Sequence, residues 1–164
     1  MISTLRLGIV SDSHGRVEST RAAANLLESF DVSQVIHCGD IGTPEVISAL
    51  ARWPTHYVFG NCDGQLDALR AAMKEAGGTC HEEFGTLKLE GRAIAFLHGD
   101  DHRKLVESIT SGTFDLVCHG HTHRAKQEMI GETLVLNPGA LFRARPLSSA
   151  VVELPSLEVT SLDL

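Results

Sequence analysis

The sequence predicts an α/β domain built from two packed, mixed β-sheets with helices outside them. Two observations carry that prediction. The first half of the chain alternates short apolar runs with helical spacing three times, which implies parallel strands joined by helical crossovers. The second half is mostly hairpins, marked by Glu90-Gly91, Gly131-Glu132 and Pro155-Ser156, with one helix among them. The 164 residues are 43% hydrophobic, enough for one domain with a real core. No repeat, low-complexity tract or linker divides them, so residues 1–164 read as a single domain.

Leu5–Val10 alternates and then turns apolar, a first strand ending at Ser11-Asp12-Ser13-His14-Gly15. The run Met1-Ile2-Ser3-Thr4-Leu5-Arg6 enters that strand pattern directly and lacks the features of a signal peptide. Between Val17 and Phe30, Ala22, Ala23, Leu26 and Leu27 fall at helical spacing. Gln34–Cys38 is a second strand, ending at Gly39-Asp40. Pro44 opens a helix through Leu50, because a missing N–H is tolerated in the first turn. Thr55–Phe59 is a third strand, ending at Gly60-Asn61-Cys62-Asp63. The helix from Gln65 to Ala76 is stopped by Gly77-Gly78.

From there the hairpins begin. Gly85–Leu89 and Arg92–Leu97 flank the first turn, and the second strand ends at His98-Gly99-Asp100. A helix from about His102 to Ile109 leads to the strand Asp115–Cys118 and the loop Gly120-His121-Thr122-His123. Lys126–Ile130 pairs with Thr133–Leu136, closed by Asn137-Pro138-Gly139. Ala150–Leu154 and Leu157–Thr160 form the last hairpin.

Composition excludes several classes. No apolar run approaches the roughly 20 residues of a membrane span. Cys38, Cys62, Cys80 and Cys118 form no CxxC pair, which predicts free thiols and a reducing, cytoplasmic setting. A net charge of −7 without a basic run argues against a nucleic-acid-binding module. It leaves a phosphate substrate open, because bound metal can reverse the local sign.

The functional signal is positional. Asp12 and His14, Asp40, Asn61, His98, then His121 and His123 all stand just past strand ends, where ligands gather in α/β sheets. In extended backbone, residues two apart project to one side, so His121 and His123 are expected to face a common point, as metal ligands would. Each residue has a plainer role open to it. Asp12 suits a helix N-cap, Asp40 a turn, Asn61 a left-handed turn, and His98 a satisfied core histidine. Five such coincidences at strand ends favour a metal site. His37, His56, His81, His102 and His119 lie outside the pattern as structural or supporting residues, with His119 the best supporting candidate.

Asp12-x-His14, Gly39-Asp40, Gly60-Asn61, His98 and Gly120-His121-x-His123, in that order, resemble the calcineurin-like metallophosphoesterases. Gly60-Asn61-Cys62-Asp63 and Asn137-Pro138-Gly139 look like its small bacterial and archaeal phosphodiesterase branch. The resemblance implies a four-layer α/β/β/α sandwich with a dinuclear metal centre. It implies one ion on Asp12, His14, Asp40 and His123, and a second on Asp40, Asn61, His98 and His121, with Asp40 bridging. The catalytic set it implies is Asp40, Asn61, His98 and Asp63. Oxygen and imidazole donors without thiolate suit two divalent ions, Mn first, with Fe, Zn or Ni as alternatives. Two such ions against two ligand carboxylates leave a net +2, which would acidify a bridging water and make it the nucleophile toward phosphorus.

Two departures from the wider family stand out. The histidine expected after the asparagine is Cys62, and its aspartate partner is Thr43. Asp100 stands where relatives often have a second histidine. The expected activity is phosphodiester hydrolysis on a small phosphate-ester substrate. A phosphomonoesterase, and a non-catalytic scaffold like the eukaryotic retromer subunit of this fold, are the alternatives. A homo-oligomer is compatible with the reading, and no membrane partner is expected. Arg143 and Arg145 stand either at the rim of the site or as solvated loop charges.

Overall fold

The computed structural model describes residues 4–164. The start of the run Met1–Arg6 therefore lies outside the described residues, and the strand pattern is seen from Leu5. The chain makes strands β1 (Leu5–Val10), β2 (Gln34–His37), β3 (Thr55–Tyr57), β4 (Thr79–Cys80), β5 (Phe84–Leu89) and β6 (Arg92–Leu97). These are followed by β7 (Leu116–Cys118), β8 (Lys126–Ile130), β9 (Thr133–Asn137), β10 (Ser148–Leu154) and β11 (Glu158–Asp163). Helices α1 (Val17–Ser29), α2 (Pro44–Ala49), α3 (Leu66–Glu75) and α4 (His102–Thr110) connect them.

Two mixed sheets result, with strand orders β11-β10-β1-β2-β3-β4 and β5-β6-β7-β9-β8. The period-2 alternation of the strands decides how they stack. In β1, Leu7 and Ile9 point to the other sheet, while Val10 points to the helices. Ile36, Phe96, Leu116, Leu136 and Val152 complete the apolar layer between the sheets. On the outer face of the first sheet, Leu27, Ile47, Leu69 and Met73 of α1–α3 pack on Val35, Tyr57 and Val151. On the outer face of the second, Leu105 and Ile109 of α4 pack near Ala95, Leu97 and Val117. The order of layers is therefore helices, sheet, sheet, helix, as expected. Among the described residues no helix is long and apolar enough to cross a membrane.

Local chemistry explains the boundaries. Helix α3 ends in a left-handed Gly77 at φ 74°, with Gly77 N–H donating to Lys74 O and Gly78 N–H to Met73 O. Asp101 caps α4 by accepting from the Lys104 N–H at 3.1 Å. The differences from the sequence reading are small. The second and third strands stop at His37 and Tyr57 rather than Cys38 and Phe59, the seventh starts at Leu116 rather than Asp115, the last two strands are longer, and β4 is an addition. Only two residues long, β4 pairs in parallel with His56 and Tyr57 and has no periodicity to detect.

Parallel pairing aligns the strand ends. Val10 lies beside His37, and His37 beside Tyr57, so the loops after β1, β2 and β3 share one edge. In the second sheet Phe96 lies beside Cys118 and Cys118 beside Leu136, which aligns the loops after β6, β7 and β9. Because Ile36 is fully buried between the sheets, Ile36→Ala is expected to cost about 2–5 kcal/mol of unfolding free energy in a denaturant titration.

Candidate metal centre

The two aligned edges meet. Asp12, from the loop after β1, and Asp40, from the loop after β2, are 0% and 3% exposed. Asp12 Oδ2 accepts from Ser11 Oγ at 2.7 Å and from the His121 N–H at 3.0 Å. Asp40 Oδ1 accepts from the Cys62 N–H at 2.8 Å. One oxygen of each carboxylate is thereby tied to its surroundings, and the other faces histidines. Asp12 Oδ1 lies 3.2 Å from His123 Nε2 and 3.7 Å from His14 Nε2. Asp40 Oδ2 lies 3.1 Å from His98 Nε2 and 3.5 Å from His14 Nε2.

The histidines are aimed from behind. His98 Nδ1–H donates to the Cys38 carbonyl at 2.8 Å, and His123 Nδ1–H donates to the Arg143 carbonyl at 3.3 Å. Each bond directs Nε2 toward the carboxylates, as backbone carbonyls do behind metal-bound imidazole. His98 is 1% exposed, yet its Nε2 has no hydrogen-bond partner, and neither do the buried Asp12 Oδ1 and His14 Nε2. Buried polar atoms are rarely left so. Their convergence fits a cation, and three acid–imidazole groups are close enough to hold one: Asp12 with His14 and His123, Asp12 with Asp40 and His98, and His14 with Asp40 and Cys62.

Backbone shape and glycines make room. Asp12, His14, Asp40, His121 and His123 all have positive φ, between 43° and 70°. Such conformations are uncommon outside glycine, though Asp and His adopt them more readily than most, and they concentrate at functional sites. They also correct the extended geometry expected of His121 and His123. The two rings diverge: His121 stands by His98, with centroids 5.1 Å apart, and His123 by His14, at 5.3 Å. A Cβ at Gly60 would collide with the Asp40 carboxylate, and one at Gly120 with Ser11 and Asp12. These positions admit only glycine because backbone approaches the carboxylates so closely.

The remaining expected residues divide. Asn61 is exposed and lines, with His98 and Asp100, a cavity of about 880 Å³. Asp63 does not face the carboxylates. Its Oδ1 accepts from the Gly42 N–H at 3.0 Å and its Oδ2 from the Gly60 N–H at 2.9 Å, so it braces the loop of Asp40 against the loop of Asn61. Asp12 is not a helix N-cap, since α1 begins after Arg16. His119 stands where a Cβ on Gly99 would meet it, and it bonds locally to the Gly120 carbonyl. His37 is the supporting histidine that sequence order concealed. The Gly39 N–H donates to its Nδ1, its Nε2–H donates to Ser13 Oγ, and that hydroxyl donates to the Ile41 carbonyl. The chain of bonds pins both carboxylate-bearing loops. His56 and His81 pair with each other at 3.0 Å.

Charge explains the protonation pattern. Burial opposes a charge on His98, but the Asp40 and Asp12 carboxylates outweigh it and hold the pKa at about 9. Burial likewise disfavours ionised Asp40, but the His98 imidazole 3.1 Å from its Oδ2 and the bond from the Cys62 N–H bring it down to about 2. His37, fully buried and near His98, is lowered to about 3 and is neutral. In the metal-free protein a proton on His98 thus supplies part of the positive charge the carboxylates require.

Comparison with known proteins agrees in fold and sequence. Residues 5–156 match the calcineurin-like phosphoesterase superfamily domain. A phosphodiesterase of Methanocaldococcus jannaschii is 30% identical over 138 residues, covering 82% of this chain and 83% of that protein. A probable metallophosphoesterase of Bacillus subtilis is 30% identical over 140 residues, covering 81% of this chain and 73% of the relative. The solved structure of an archaeal phosphodiesterase superposes with a TM-score of 0.91 at 26% identity, covering 98% of this chain and 100% of that one.

Two outcomes follow from the geometry. A cation entering beside His98 must displace its proton, so metal binding at pH 7 should release about one proton, measurable by calorimetry in buffers of different ionisation enthalpy. Apparent affinity should rise about tenfold per pH unit and level off above pH 9; a pH-independent affinity between 7 and 9 would contradict this. Asp63→Ala strands two backbone N–H groups and should lower stability by about 1–3 kcal/mol in urea unfolding.

Proposed function

The chain belongs to the calcineurin-like phosphoesterase superfamily, and from that premise we propose that it is a metal-dependent phosphodiesterase working at the paired carboxylates between its sheets. The observation that carries this reading is the convergence of the buried, unpartnered Asp12 Oδ1, His14 Nε2 and His98 Nε2 on one point. In this reading one divalent ion is held by Asp12, His14, Asp40 and His123, and a second by Asp40, Asn61, His98 and His121. Support for a shared Asp40 is that its Oδ2 lies close to both His14 and His98, on the two flanks of the centre. The grouping of His121 with His98 and of His123 with His14 supports assigning the two loop histidines to different ions. Oxygen and imidazole donors suit Mn, with Fe, Zn or Ni as alternatives.

Bound there, the ions would supply Lewis-acid polarisation of the phosphoryl group and acidification of a water. The protein's own residues set the rest. Cys38 and Arg143 carbonyls keep His98 and His123 oriented through their Nδ1–H groups. Asp63 keeps the Asp40 and Asn61 loops in register. In this reading the Asn61 amide donates to a phosphoryl oxygen, which its position in the lining of the large cavity supports. No histidine follows Asn61, and the exposed Cys62 thiol stands within reach of His14 and Asp40 instead. A thiol is a weak donor, so turnover should lean on leaving-group quality. Asp100, Asp101 and Glu83 also line the large cavity, which favours the single charge of a diester over the greater charge of a monoester.

The scaffold alternative is separated by metal analysis of protein purified without chelator, alongside turnover of an aryl phosphodiester. Asp40→Ala should lose at least one equivalent of metal and nearly all hydrolysis while its circular dichroism is unchanged, because Asp40 lies in a loop beyond β2. Full turnover by the folded, metal-analysed variant would sink the reading.

A further inference from the structure

The large cavity meets the centre at His98 and Asn61. A smaller one, of about 440 Å³, adjoins it at the loop after β1, with Gly15, Arg16, Glu18, Leu141, Phe142 and Arg143 in its lining. Phe142 stands against His14, with ring centroids 5.1 Å apart. Two guanidinium groups lie against the same phenyl ring, Arg16 with Cζ 4.7 Å from its centroid and Arg143 with Cζ 5.0 Å away.

Two features distinguish these arginines from solvated loop charges. Among the described residues Arg16 and Arg143 make no ion pair, as is also true of Arg21, Arg124 and Arg145, so their placement and not their lack of a partner sets them apart. Arg16 precedes α1 and Arg143 follows β9, yet both arrive at one aromatic ring, which restrains them before any ligand binds. Finally, Arg143 has a left-handed backbone, φ 47°, and its carbonyl receives the His123 Nδ1–H. One residue thus carries a free guanidinium and orients a histidine of the centre.

We propose that Arg16 and Arg143, held on Phe142, form a second anion position beside the metal centre, which takes a phosphate carried on the non-leaving alcohol of the substrate. The proposal rests on the phosphodiesterase reading and narrows it to diesters bearing a further phosphate. Guanidinium offers a planar fork of donors that matches phosphate oxygens, and pre-ordering on an aromatic lowers the entropy lost in binding. Glu18 is the one carboxylate in the lining, against two guanidinium groups, so the position stays locally positive on a chain of net charge −7. With both guanidinium groups against it, the Phe142 ring acts as their support, and recognition is by charge.

The test uses a matched pair of ligands. Thymidine 3′,5′-bisphosphate should bind the metal-loaded protein about tenfold or more tightly than thymidine 5′-monophosphate in titration calorimetry. Arg16→Gln/Arg143→Gln should bind the two alike, and the single Arg16→Gln, which leaves the His123 contact untouched, should lose most of the difference. The 4-nitrophenyl 5′-esters of the same two nucleotides should differ in kcat/KM in the same direction for the wild type. Equal binding of the two nucleotides by the wild type, or an undiminished difference in the double variant, overturns the proposal. A binding difference that both arginine variants abolish, with neither ester hydrolysed, leaves the anion position standing and removes the phosphodiesterase reading instead.

Discussion

Asp12 and Asp40 are two carboxylates withdrawn from water at the seam between the sheets, and among the described residues no lysine or arginine pairs with them there. Burying such charges without compensation is costly, and the surroundings are arranged to limit that cost. One oxygen of each acid accepts a backbone N–H, and His98 is held protonated by the rest of the unbalanced charge. Among the described residues, three buried polar atoms at this seam, Asp12 Oδ1, His14 Nε2 and His98 Nε2, still have no partner. A hydrophobic seam would be more stable, so the folded chain keeps at this place a cluster of donors able to hold a metal. Metal ions should therefore stabilise the protein as well as equip it for chemistry.

The sandwich is what brings the histidines of the second sheet to the acids of the first. Each sheet alone brings its parallel strand ends to one edge. Stacking through Leu7, Ile9, Ile36 and Phe96 superposes the two edges, so that His98 of the second sheet can donate to the Cys38 carbonyl of the first. The strained φ values at Asp12, His14, Asp40, His121 and His123 arise at this junction. Each chain leaves a rigid strand and must turn sharply to put its side chain back over the seam. The flanking apolar core holds these turns, and His37 and Asp63 supply hydrogen bonds where the loops cross.

Most of this architecture was legible because it depends on local pattern. Alternating strands, the glycine stop at Gly77 and the hairpin turns each announce themselves within a few residues. The polar residues beyond the strand ends were legible for the same reason. What escaped depends on contacts between distant segments or on backbone angles. The spacing of His121 and His123 suggested a common target, whereas two left-handed residues send the rings apart. Asp63 follows Asn61 and Cys62 closely enough to suggest chemistry, but its two oxygens are engaged by glycine N–H groups. Phe142 and Arg16 gave no signal at all, since an isolated aromatic and an isolated arginine acquire meaning only when folding places them together. The two-residue β4 was below the length at which periodicity exists.

The two flanks of the centre differ in charge, and that difference bears on how a diester would lie. On the His98 and Asn61 side, Glu83, Asp100 and Asp101 outnumber Lys104, while Arg70 is already bound to Glu82 and Asp67. On the His14 side, two guanidinium groups face one carboxylate. A phosphodiester with one neutral alcohol and one anionic alcohol has a single orientation that avoids repulsion on both flanks: the anionic part by Phe142 and the neutral part in the larger cavity. Orientation would then follow from electrostatics before any shape fit, and its strength would fall as salt screens the exposed guanidinium groups.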